Sequence, residues 1–159
     1  MILETAGGAD DLKIMDFGLA KVLSGEKSVS ESLTEAGVVM GTFGYIAPEA
    51  FSGGPVDERA DIFAIGVMVV ETVVGARPFR GQTPHEIITS LLHSEYHLPG
   101  SSIEIRALDA VLQRCLAKDP RNRYCSATEV ATELVPTLIR CADFDAHRGV
   151  TVPDTSALG

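Results

Sequence analysis

The chain has 159 residues, 45% of them hydrophobic, and a formal net charge of −9 at pH 7. That length allows one domain with a modest core, and that apolar content argues against general disorder. The acidic balance argues against a nucleic-acid surface or an anionic membrane as partner.

In chain order, residues 1–5 and 12–15 are short apolar segments joined by Ala6-Gly7-Gly8-Ala9-Asp10-Asp11, the pattern of a β-hairpin turn. Met1 leads into Ile2-Leu3-Glu4 without the basic region of a signal peptide, so a cytoplasmic chain is expected. Residues 22–38 are rich in Ser, Thr and Glu and lack periodicity, as a mobile surface loop does. The stretch 60–75, ADIFAIGVMVVETVVG, then dominates the sequence. From Ile62 to Val70 only Gly66 lacks an apolar side chain, and a helix without a polar stripe belongs inside a core. The run is shorter than the ~20 residues a membrane span needs, and it carries Glu71. The acidic entry Val56-Asp57-Glu58-Arg59 and the stop at Gly75 bound a buried central helix.

Capping boxes mark later helices. Thr83 with Glu86 opens one that runs to about His93, with Pro84 at the first helical position. Ser101 with Glu104 opens another, which lines up Leu108, Val111, Leu112, Cys115 and Leu116. Ser126 with Glu129 opens a third through Val130, Leu134 and Leu138, where Pro136 predicts a kink. Periodicity ends near Cys141, and 141–159 reads as a mostly disordered acidic tail. Cys115, Cys125 and Cys141 contain no Cys-x-x-Cys pair, which fits reduced thiols. His85, His93, His97 and His147 show no metal-ligand spacing with them and read as exposed. The fold class expected is mainly α: a short N-terminal β-hairpin, then helices around the buried central one.

Two tripeptides carry more than fold. Asp16-Phe17-Gly18 and Ala47-Pro48-Glu49 bracket a loop of the length of a protein-kinase activation segment. Gly41-Thr42-x-x-Tyr45 precedes the second, Asp61-x-x-x-x-Gly66 follows it, and Cys115-Leu116-x-x-Asp119-Pro120-x-x-Arg123 lies downstream. In this order they resemble the C-terminal lobe of a bacterial-type Ser/Thr protein kinase, over roughly residues 1–140. Phe63 stands where many members have Trp, and Tyr124 where the family usually has Pro.

The resemblance implies roles. Asp16 would coordinate Mg²⁺ bridging the ATP phosphates, with Phe17 packed beneath it and Gly18 allowing the backbone to turn. Thr42 would help position the substrate hydroxyl. Glu49 and Arg123 would form a structural buried ion pair, and Asp61 would accept backbone N–H groups from the catalytic loop. Thr34, then Ser28, Ser30 and Ser32, are candidate phosphosites of the activation loop.

It also implies parts that these 159 residues do not hold: the Gly-rich loop, the Val-Ala-Ile-Lys-like strand, its partner Glu and the His-Arg-Asp…Asn loop. The expectation is a kinase C-lobe beginning just after the catalytic loop, truncated and inactive as an isolated chain. ATP and Mg²⁺ belong to the complete domain and should not bind tightly here. The partners implied are protein substrates or the N-terminal half of the kinase. Without that half, part of the 62–74 surface should be uncovered and Asp61 should lack its donors. The alternative is a non-catalytic, kinase-like interaction or regulatory module.

Overall fold

The computed structural model describes residues 42–53 and 55–148, with side chains from 44 to 143, all within the unit Val39–Gly159. The expected β-hairpin lies outside the described residues, which contain helices and no strand. A 3₁₀ turn, Thr42–Tyr45, leads into α1, Pro48–Phe51. Then follow α2 (Arg59–Val74), α3 (Pro84–His93), α4 (Ile103–Cys115), a second 3₁₀ turn (Pro120–Asn122) and α5 (Ala127–Arg148). None of the described helices is long and apolar enough to cross a membrane.

The core is built on one face of α2. Ile62, Phe63, Gly66, Val67 and Val70 are buried, and Phe63 stacks on Phe79 with ring centroids 5.9 Å apart. Gly66 is there for close approach: a Cβ on it would lie 2.8 Å from Cys115 Cβ and 3.0 Å from Leu116 Cδ2. On its other side Met68 and Val73 are 49% and 50% exposed, while Ile65 and Val69 are partly buried against the core. An all-apolar period therefore states what the helix can bury, not what covers it. Gly75 ends α2 at φ 74°, the left-handed conformation that a side chain disfavours, and its N–H closes on the Glu71 carbonyl at 2.8 Å.

The caps depart from the expected boxes in register. At α3, Thr83 Oγ1 accepts from Glu86 N, but the Glu86 carboxylate reaches past the cap to Gln82 N at 2.8 Å. At α4 the cap is Ser102, not Ser101: its backbone is extended and its hydroxyl accepts from Ile105 N at 3.2 Å. Glu104 is thereby released from capping. At α5, Ser126 caps Glu129 N while the Glu129 carboxylate takes Cys125 N at 2.8 Å.

Helix α5 runs to Arg148, past the boundary the sequence placed at 141. Its inward face reaches that boundary: Val130, Leu134 and Thr137 are buried and Leu138 and Cys141 pack against the core, while Ala142 and Asp143 are exposed. Pro136 sits inside the helix on an exposed position, where the carbonyl it leaves unpaired can meet water. Residues 149–159 lie outside the described part.

Candidate functional site

The polar architecture centres on Arg123, whose side chain is fully buried. Its Nη1 and Nη2 donate to Glu49 Oε1 and Oε2 at 2.8 and 2.7 Å. Nε donates to the Ala117 carbonyl at 2.8 Å, Nη1 also to the Arg59 carbonyl at 2.8 Å, and Nη2 also to the Lys118 carbonyl at 3.3 Å. Every N–H of the guanidinium fork thus has an acceptor, which is what makes a buried charge tolerable. The Phe63 ring lies 5.0 Å from its Cζ. One side chain therefore joins α1, the first turn of α2 and the segment after α4.

A second cluster fixes the other end of the turn that enters α1. The Tyr45 hydroxyl donates to Glu71 Oε2, on the last turns of α2. Arg77 Nε approaches Glu71 Oε1 at 3.7 Å, and its Cζ lies 5.8 Å from the Tyr45 ring centroid. Gly44 makes room, since a Cβ there would stand 3.1 Å from Arg77 Nη1. The hydrogen bond to Glu71, followed by burial, pushes the Tyr45 phenol above its usual range, so it stays a donor. Sequence reasoning missed this cluster. Its signal was Glu71, the one charged residue between Ile62 and Val74 in an otherwise apolar helix.

The residues between these anchors and the expected site residues fall as follows. Thr42 opens the first 3₁₀ turn. Asp61 stands in the first turn of α2, exposed, and among the described residues nothing donates to its carboxylate. Asp16, Phe17, Gly18, Thr34, Ser28, Ser30 and Ser32 lie outside the described residues. Among the described residues no group of His, Cys, Asp and Glu is placed to hold a metal ion. The departures at 63 and 124 are absorbed by packing. Phe63 stacks as above, and Tyr124, 1% exposed, donates to Glu133 Oε2 at 2.7 Å beneath the Arg114 guanidinium.

With this geometry in place, comparison is informative. The family model for the protein kinase domain matches residues 2–135. The chain belongs to the protein kinase domain family. It is 34% identical over 126 residues to the serine/threonine-protein kinase PknB of Mycobacterium tuberculosis, an alignment covering 78% of this chain and 20% of that protein. The serine/threonine-protein kinase PknB of Mycobacterium leprae is 34% identical over 129 residues, again 78% and 20% of the two chains. The protein described as probable serine/threonine-protein kinase PknB of Corynebacterium glutamicum is 34% identical over 140 residues, 84% of this chain and 21% of that one. The chain thus spans about a fifth of the length of the curated relatives it matches. Both polar clusters anchor residues 45–49, the end of the stretch that the two tripeptides bracket.

Proposed function

We propose that the chain supplies the C-terminal-lobe platform of a Ser/Thr protein kinase, which transfers the γ-phosphoryl group of ATP to a Ser or Thr hydroxyl of a protein. The observation that carries this reading is the paired anchoring of residues 45–49. Tyr45 is tied to the last turns of α2 through Glu71, and Glu49 is tied to Arg123. Phosphoryl transfer depends chiefly on positioning and charge stabilisation, so a segment meeting the substrate must be held from both ends. Thr42, three residues before Tyr45, would orient the substrate hydroxyl, and Glu49 with Arg123 would keep that segment from moving. Asp16 would hold the magnesium ion, which when bound neutralises charge on the phosphates. The phosphosites Thr34, Ser28, Ser30 and Ser32 would order the loop between Gly18 and Thr42.

The 159 residues contain no phosphate-binding Lys of the expected strand and no catalytic-loop Asp or Asn. The isolated chain is therefore proposed to be inactive and to bind MgATP no better than millimolar. Co-expression with an N-terminal segment of a relative, ending at its catalytic-loop Asn, tests the reading. Soluble yield should rise and a generic basic protein should be phosphorylated. Asp16→Ala should abolish that activity, Thr42→Ala should reduce it sharply, and removal of residues 149–159 should leave it. Copurifying halves with full activity in Asp16→Ala would overturn the metal assignment. Activity of the chain alone would overturn its proposed dependence on the other half.

A further inference from the structure

Lys118 is the one lysine among the described residues, and its amine takes no part in either anchoring cluster. Its Nζ donates to the Leu91 carbonyl in the last turn of α3 and stands 3.8 Å from the Phe79 ring centroid. The last carbonyls of a helix lack intrahelical partners, so an amine arriving from the segment after α4 closes α3. The same side chain lines a cavity of about 110 Å³ together with Phe79, Ser94, Glu95, Tyr96 and Leu116. All of its walls come from residues 79–118, so none belongs to the 62–74 surface. Burial, then the Arg123 charge, push the amine down to about 8, against the pull of Glu95. At pH 8 about half of it is unprotonated, where an ordinary Lys is roughly 0.4% free amine. Once neutral, Nζ keeps two N–H groups for the Leu91 carbonyl and the Phe79 face, and its lone pair is left over. A desolvated lysine near a second cation is the setting that makes an amine a nucleophile.

We propose that Lys118 is a modification site, the acceptor of a short acyl group from a small uncharged ester or thioester seated in this cavity. Charge selects the donor: Glu95 repels an anionic one, and no base besides Lys118 lines the cavity to hold it. Nζ attacks the acyl carbon and forms the amide C–N bond. The C–O or C–S bond to the leaving group breaks, and the departing oxygen or sulfur carries off the proton that nitrogen sheds. The product has no charge over Phe79 and one N–H in place of three, so acylation weakens the tie to α3.

Phenyl acetate and acetylsalicylate, two phenyl esters that differ by a carboxylate, test the assignment on the full chain. Peptide mapping by mass spectrometry compares Lys118 with Lys13, Lys21 and Lys27. At pH 8 phenyl acetate should acetylate Lys118 about tenfold faster than the other three, its larger free-amine fraction being partly offset by weaker basicity. The Lys118 rate should level off above about pH 8.5, with the reference lysines still climbing at about pH 9.5. Acetylsalicylate should lose most of the preference for Lys118, and Glu95→Gln should restore it. Ser94→Leu, at an exposed lining position, should slow Lys118 alone. Equal rates at the four lysines, a Lys118 rate that climbs in step with the others, a preference that is the same for both esters, or one untouched by Ser94→Leu would each overturn the proposal.

Discussion

Arg123 meets Glu49 in a two-pronged contact across 74 residues of sequence, with both side chains shut away from solvent. Neither partner can be removed alone without leaving the other charged and unpaired.

Glu49→Ala should therefore cost about 3–5 kcal/mol of stability, the usual penalty for orphaning a buried charge. Arg123→Lys should fall in the same direction, because an ammonium cannot fill the fork that serves Glu49 and three carbonyls. Urea melts with Glu95→Ala, an exposed acid, as reference would check it. Equal midpoints would show the pair contributes nothing.

Two glycines, one inside α2 and one that caps its end, should respond differently to alanine. At Gly66 the new methyl meets Cys115 and Leu116, and overpacking of about 1–3 kcal/mol should outweigh the ~1 kcal/mol helix-propensity gain. At Gly75 nothing stands within 4 Å, so the cost should be only the left-handed backbone, about 1–2 kcal/mol. Adding a compensating Leu116→Ala should ease Gly66→Ala and leave Gly75→Ala untouched. Double-mutant melts would read this directly.

The cap of α4 can be located by mutation. Ser102→Ala should cost about 1 kcal/mol, while Ser101→Ala, one residue earlier and exposed, should be within error of wild type. Thermal midpoints of the two variants would distinguish them, and the reverse order would restore the box that begins at Ser101.

His97 gives the fold a pH dependence. Its Nδ1 lies 2.9 Å from Asp109 Oδ2, and Leu98 N donates to Asp109 Oδ1 at 2.8 Å, so Asp109 straps the segment before α4 to that helix. The hydrogen bond to Asp109, then its charge, raise the His97 pKa. Burial pushes the Asp109 carboxyl up, but hydrogen bonds from His97, Leu98 and Gln113 outweigh it and hold the carboxyl low. The imidazolium contribution is complete below the unfolded pKa of about 6.5 and is lost as pH rises through the raised folded value. The carboxylate contribution is present above about pH 4 and is lost as pH falls through the lowered folded value. The stability gap between wild type and His97→Gln should be widest at pH 5 and close by pH 8. A gap independent of pH would show that His97 acts by packing alone.

Much of this protein was legible from its residues because the relevant signals are local. Apolar spacing places α2, α3, α4 and α5, Gly75 stops α2, and Thr83 and Ser126 start their helices where side chain and backbone N–H are neighbours in the chain. The kinase motifs are likewise strings of adjacent residues, so family membership was readable without a fold. What the tertiary structure decided are the relations between distant residues. Only packing sets which of Ser101 and Ser102 caps α4 and seats α5 on the core as far as Cys141. Only packing decides which apolar residues of α2 are buried and which, Met68 and Val73, stay exposed, and turns Glu104 into a groove. Tyr45 and Glu71 are 26 residues apart, and no sequence period brings a hydroxyl to a carboxylate over that distance. A side chain's chemistry is written in its identity, but its partner is chosen by the backbone that carries both.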